Sequence, residues 1–236
     1  MNTLSFFPLV LTLLMHASSL KPSSGLAIEK GQVTRRGMLR TAAATSSSLF
    51  LPHSFANAVT NEEEDPTKLT DVYFGVGCFW HIQHEFVEAE AQLLKRTGSD
   101  FTSRTGYAGG LTTEEGKVCY HNWSRIADYG KLGHGEVVGM TIPESSIGDF
   151  AKVYFSLFTD KGERVDPMDR GGEYRSLLGL PGGSNHPMYP TVLEAANEKG
   201  MKLVLGKGND PDTLGKKMVF VMDSNKFPFY QAEVSA

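Results

Sequence analysis

Leu69-Thr70-Asp71-Val72-Tyr73-Phe74-Gly75-Val76, followed directly by Gly77-Cys78-Phe79-Trp80, is the stretch on which the reading of this chain turns. The first part is rich in β-branched and aromatic residues and predicts a buried strand. From Phe79 to Leu94 the apolar residues Phe79, Ile82, Phe86, Ala89 and Leu93 recur at helical spacing. Gly77 permits a turn that a larger residue resists. Cys78 is therefore expected where a strand ends and a helix begins. Unpaired N–H groups and the helix dipole favour negative charge there. They are expected to lower the thiol pKa toward the nucleophilic thiolate. A small buried hydrophobe is the other common use of a free cysteine.

Outward from this stretch, Phe101 to Tyr107 predicts a second strand, closed by Ala108-Gly109-Gly110, and Glu136 to Ile142 a third, stopped by Pro143. Ser145 or Ser146 is placed to cap a helix with Phe150, Val153, Tyr154 and Leu157 on its inner face. Val165 to Arg175 is polar and glycine-broken, a loop. Tyr189 to Leu205 predicts a helix and a short strand, Met218 to Met222 a last strand, and Phe227 to Val234 an aromatic tail. Strands and helices alternate. The expected fold is α/β (α+β), a two-layer sandwich with a mixed or antiparallel sheet covered by helices.

The 236 residues suit one globular domain, at 69–236, and an N-terminal segment outside it. Residues 1–58 read as a bipartite targeting peptide. Phe6 to Met15 is an apolar core too short to span a bilayer. Arg35-Arg36 precedes an Ala/Ser-rich run and the small-x-small site Ala56-Asn57-Ala58, a pattern resembling a twin-arginine signal. The series resembles that of proteins bound for the thylakoid lumen of a plastid, another exported compartment being the alternative. Residues 59–68 form an acidic, flexible lead-in. Removing residues 1–58 leaves 18 basic against 26 acidic residues, a net charge of −8. An acidic body without a basic stripe argues against nucleic-acid binding, and no later apolar run is long enough to cross a membrane. Two cysteines, Cys78 and Cys119, are too few for a disulfide scaffold.

Gly77-Cys78-Phe79-Trp80 resembles the signature of the peptide methionine sulfoxide reductase A (MsrA) family. Four further segments follow in family order: Gly106-Tyr107-Ala108-Gly109-Gly110, Gly133-His134-Gly135-Glu136-Val137-Val138, Asp169-Arg170-Gly171-Gly172-Glu173-Tyr174-Arg175-Ser176 and Phe229-Tyr230-Gln231-Ala232-Glu233. The resemblance implies a ferredoxin-like, MsrA-type fold and thiol-dependent reduction of methionine-S-sulfoxide in peptides or proteins, or of the free amino acid. Methionine sulfoxide is a polar oxidative lesion that such enzymes reverse. By position, Cys78 is the nucleophile that becomes a sulfenic acid, and Glu136 the general acid, which must hold its proton near neutral pH. Tyr174 bonds the sulfoxide oxygen, Asp169 orders a neighbouring polar group, and Phe79 and Trp80 cage the S-methyl group. No cofactor is implied beyond an external thiol reductant of thioredoxin-like kind, and no metal. The enzyme is expected to be a monomer.

The chain also departs from the family. Glu115 stands at the position of a second substrate-binding tyrosine, four residues before Cys119, and Tyr120 or Tyr129 is left to replace that hydroxyl. His81-Ile82-Gln83 follows Trp80 where the family has Gly-x-Glu. The sequence stops before the family's Tyr-His-Gln segment, so Cys119 or an external thiol is expected to resolve the sulfenic acid. Three other readings compete. Cys78, His81, His84, His121 and His134 are ligand types for a metal-binding module, though their spacing closes no zinc site. A non-catalytic methionine-sulfoxide binder is the second. A Cys/His hydrolase built on Cys78 and His134 is the third.

Overall fold

The computed structural model describes residues 68–113, 115–164 and 168–233. The expected targeting segment at 1–58, the expected lead-in apart from Lys68, and residues 165–167 of the predicted loop lie outside the described residues. β1 (Leu69–Gly75) leads through Gly77 and Cys78 into α1 (Phe79–Leu94). β2 (Arg104–Ala108) and β3 (Gly135–Pro143) follow, then α2 (Ile147–Ser156) and β4 (Leu177–Leu180). α3 (Tyr189–Glu198), β5 (Lys202–Leu205), β6 (Met218–Asp223) and β7 (Tyr230–Gln231) complete the order. No described helix is long and apolar enough to cross a membrane.

These strands make one mixed sheet in the order β5-β6-β4-β1-β3-β2-β7. Its centre, β4-β1-β3-β2, is antiparallel throughout. α1 connects β1 to β2 and α2 connects β3 to β4, the split βαβ arrangement of ferredoxin-like folds. β6 and β5 extend the sheet in parallel beyond β4. The strand period of two sends alternate residues to opposite faces. Val72 and Phe74 of β1, Val138, Met140 and Ile142 of β3, and Leu178 and Leu180 of β4 meet Ile82 and Phe86 of α1, Phe150 and Tyr154 of α2, and Val192 of α3 in the main core. Tyr73, Val137, Leu177, Phe220 and Met222 face the other way, under Phe227 and Phe229. The helices thus form one layer over the sheet. Each fully buried large apolar side chain stabilises it by about 1.5–3 kcal/mol.

The structure corrects several boundaries. Phe101 to Ser103 stay outside β2; Thr102 and Ser103 instead give their backbone N–H groups to the buried carboxylate of Glu90. A 3-10 turn, Glu144–Ser146, precedes α2, and Ser146 makes no side-chain cap bond. Another such turn, Gly172–Tyr174, closes the predicted loop. Leu177–Leu180, without a predicted strand, is β4, paired to both β1 and β6. Met218–Asp223 is not the last strand, because the aromatic tail adds β7 to the edge of β2.

Candidate active site

Cys78 is the N-cap residue of α1, in extended conformation, with its carbonyl accepting the Ile82 N–H at 3.3 Å. Gly77 before it has φ of +87°, a left-handed geometry that glycine adopts without penalty. The Gly77 N–H donates to the Tyr174 carbonyl at 3.1 Å, joining the cysteine turn to the Gly172–Tyr174 turn. The thiol is half-buried. Its pKa is raised, not lowered as the helix position predicts. Burial is the main cause, and the charges of Glu136 and Asp169 add to it, against the Trp80 and His81 amides that favour the thiolate. The helix terminus is present, but two carboxyl groups face the same sulfur.

Glu136 comes from the start of β3 on the same face as Val138 and Met140, so the strand's alternation aims it at the helix layer. It is 2% exposed. Its Oε2 accepts the Phe79 N–H at 3.0 Å, which sets the carboxyl group beside Cys78 at the mouth of α1. Its Oε1 accepts the Tyr129 hydroxyl at 3.0 Å. Burial raises its pKa, aided by the negative Asp169, while those two hydrogen bonds pull it down. The net effect is a carboxyl group that holds its proton above the usual range.

Tyr129 lies in the segment that separates Cys119 from the Gly133-His134 loop. Its N–H bonds the Cys119 carbonyl at 2.8 Å, and its fully buried ring stacks on Tyr107 at 4.6 Å. Tyr120 also stacks against it at 5.7 Å, and His121, held by Asp128 at 3.0 Å, packs against it at 4.6 Å. Of the two tyrosines left open by the sequence, Tyr129 bonds Glu136 and is closed to solvent, whereas half-buried Tyr120 shares the field of Cys78, Glu136 and Asp169. Glu115 is exposed, in a turn closed by the Gly116 N–H on the Thr113 carbonyl.

Tyr174 and Asp169 are half-buried. The Tyr174 phenol is pushed up to about 12 by burial and by the charges of Glu136 and Asp169. Phe79 and Trp80 divide: Phe79 is 1% exposed, part of the core beside Tyr107, while Trp80 is 57% exposed with its ring 5.7 Å from Phe79. Trp80 therefore offers the open apolar surface beside the sulfur, and Phe79 backs it. Cys119 is free and half-buried, and its thiol bonds the Glu233 carboxylate, which also accepts the Tyr107 hydroxyl at 3.1 Å and the Tyr120 N–H.

His134 is 1% exposed, accepts the Gly110 N–H at Nδ1 and donates from Nε2 to the Leu111 carbonyl at 2.7 Å, so both ring nitrogens are committed to backbone. That removes the base a Cys/His hydrolase needs. His81 and His84 lie on the exposed face of α1, and among the described residues no group of three or more His, Cys, Asp and Glu is arranged to hold a metal ion. Arg175, fully buried, donates to the carbonyls of Gly109, Gly133 and Gly172 and ties the glycine-rich loops together.

No family model matches the chain. A protein from Photobacterium profundum named peptide methionine sulfoxide reductase MsrA is 26% identical over 139 residues, 57% of this chain and 57% of the relative. One of the same name from Agrobacterium fabrum is 27% identical over 134 residues, 56% of this chain and 55% of the relative. The chain thus spans little more than half the length of these curated relatives. Among solved structures, methionine sulfoxide reductase A of Corynebacterium diphtheriae aligns at a TM-score of 0.42 and 18% identity, covering 75% of this chain and 76% of that one. Reduced Mxr1 from Saccharomyces cerevisiae aligns at 0.45 and 19% identity, covering 73% and 84%.

Proposed function

We propose that this chain, a divergent member of the peptide methionine sulfoxide reductase A family, reduces methionine-S-sulfoxide in peptides or proteins with Cys78 as nucleophile. The observation that carries the reading is a buried carboxyl group, Glu136, its pKa raised by burial, bonded to the first amide of the helix that Cys78 caps. The thiolate of Cys78 attacks the sulfoxide sulfur. The sulfoxide oxygen gains charge as its bond to sulfur weakens, and Glu136 supplies a proton to it. Tyr174 donates a hydrogen bond to that oxygen, and Trp80 lies against the S-methyl group. The oxygen ends on Cys78 as a sulfenic acid, so Cys78 is oxidised by two electrons and methionine sulfoxide is reduced by two.

A thiol then attacks the sulfenic sulfur, expelling water and forming a disulfide. A second thiol returns Cys78 to its reduced state. The donor is an external dithiol of thioredoxin-like kind, or Cys119 as the first attacking thiol. The two-part N-terminal segment supports action in the thylakoid lumen.

The test is a single turnover without reductant, using peptides that carry either sulfoxide epimer. One methionine released per protein from the S epimer alone, and none with Cys78→Ser, is expected. Binding of the sulfoxide without release would make the chain a recognition module. Equal release from both epimers would exclude the family chemistry.

A further inference from the structure

Arg164 lies just after the hairpin that ends α2, where Thr159 donates its N–H to the Glu163 carbonyl at 2.7 Å and Phe158 bridges Arg164. It is 4% exposed. One terminal nitrogen, Nη1, donates to the Tyr174 carbonyl and the other, Nη2, to the Asp169 carbonyl. The Tyr174 carbonyl also accepts the Gly77 N–H, the residue before the nucleophile. Asp212 completes the arrangement. Its Oδ1 lies 3.5 Å from Nη1 of Arg164, and its Oδ2 accepts the Gly171 N–H at 2.7 Å. One guanidinium thus holds both ends of the segment carrying Asp169 and Tyr174, and Asp212 holds the middle.

Burying a cation is costly unless it is hydrogen-bonded and a counter-charge is near. Here both terminal nitrogens are bonded and Asp212 is the counter-charge, while the buried Nε has no acceptor. An aliphatic residue would fill the same space without that cost. What the arginine adds is a planar fork reaching two carbonyls and a carboxylate together, which a lysine ammonium on its flexible stem does not reproduce. The bonded groups are backbone carbonyls of Tyr174, which on the function proposed above bonds the sulfoxide oxygen, and of Asp169, which orders a polar group beside it. We infer that Arg164, braced by Asp212, is a positioning residue that fixes Tyr174 and Asp169 at the distance from Cys78 that sulfoxide reduction requires.

Displacing a donor from a developing oxyanion costs about 10²–10³ in rate. Arg164→Lys is expected to lower kcat for methionine-S-sulfoxide by about tenfold to a hundredfold on that scale, with KM changed by less. Cys78 should still react with iodoacetamide in this variant, since the Phe79–Glu136 bond beside it does not pass through the fork. The discriminating measurement is the same substitution in a Tyr174→Phe, Asp169→Asn background. The side chains being positioned are then gone while their carbonyls remain, so Arg164→Lys should cost nothing further. A full additional loss in that background would show a general structural role and overturn the inference, as would full activity of Arg164→Lys alone. Asp212→Asn, which keeps one acceptor for Gly171, provides a milder variant should Arg164→Lys fold poorly, and the same non-additivity is expected. A wild-type protein that releases no methionine would sink the proposed reaction. Faster amide exchange at Gly77 and across 169–176 in Arg164→Lys would still report the clamp.

Discussion

Glu136 is where burial and chemistry pull against each other. Its carboxyl group titrates above the free value because it is enclosed, so between the two pKa values the folded chain binds a proton that the unfolded chain has lost. Stability therefore falls as pH rises through that window and is lowest where the folded group is finally ionised. Glutamine carries no such cost. Its carbonyl oxygen can accept from Phe79 N–H, and its amide can donate to the Tyr129 oxygen, reproducing the neutral acid. Glu136→Gln is expected to lower turnover by about 10²–10⁴, the scale of acid catalysis, while raising the thermal midpoint at pH 7.5 more than at pH 5. It should also lower the Cys78 pKa, because the Glu136 charge is one of the causes raising it. The pH dependence of iodoacetamide labelling reads that shift. A variant that is less stable at pH 7.5 than the native chain would show that the carboxyl group is already ionised there, and an unmoved thiol pKa would show that its charge does not reach Cys78.

Elements with strong local signals were legible in the sequence. α1 spans Phe79–Leu94 as its periodicity predicts, and β1 and β3 lie where β-branched runs place them. Leu177-Leu178-Gly179-Leu180 was not, because a strand buried on both faces has no polar alternation and its pairing with β1 and β6 is non-local. β7 is two residues long and exists through its pairing with β2. The site divides the same way. The place of Cys78 follows from a strand-to-helix junction, whereas Glu136 is singled out in the sequence by the resemblance of the segment Gly133 to Val138. The Tyr129 bond to Glu136 and the reach of Arg164 depend on how a loop and a hairpin fold back, and no spacing reports that. β4 offers a direct test of tertiary constraint. A Cβ added at Gly179 would lie 2.1 Å from the Tyr73 ring, whose hydroxyl donates to the Phe227 carbonyl at 2.9 Å. Gly179→Ala is expected to destabilise by about 1–3 kcal/mol, the usual cost of overpacking. In a Tyr73→Val background the same change should cost little in urea unfolding. Additive losses would mean that β4 responds to backbone propensity and not to the aromatic ring.

At the scale of the whole molecule, acid sensitivity follows from one ring that the fold cannot afford to charge. His134 fastens the Gly109-Gly110 turn to the loop before β3 using an acceptor at Nδ1 and a donor at Nε2, which only the neutral tautomer supplies. Burial, with the Arg175 charge adding to it, lowers its pKa to about 4 from an ordinary 6.5. Since the folded pKa lies below the unfolded one, the unfolded chain gains a proton first as pH drops. Stability is lost between about pH 6.5 and 4, by roughly 3 kcal/mol at 1.36 kcal/mol per unit. Asp128, Asp212 and Glu233 have lowered pKa values, so their loss comes at lower pH, below the ordinary carboxylate range. His186, also lowered by burial, acts in the same direction as His134, and Glu136 in the opposite one. The clean measurement is therefore made in the Glu136→Gln background, comparing urea stability at pH 7.5 and 5 with and without His134→Asn. Asparagine keeps an acceptor for Gly110 but takes up no proton, so the pH-dependent part should shrink while stability at pH 7.5 falls from the lost Leu111 bond. An undiminished slope would place the acid sensitivity elsewhere and return His134 to an ordinary titration.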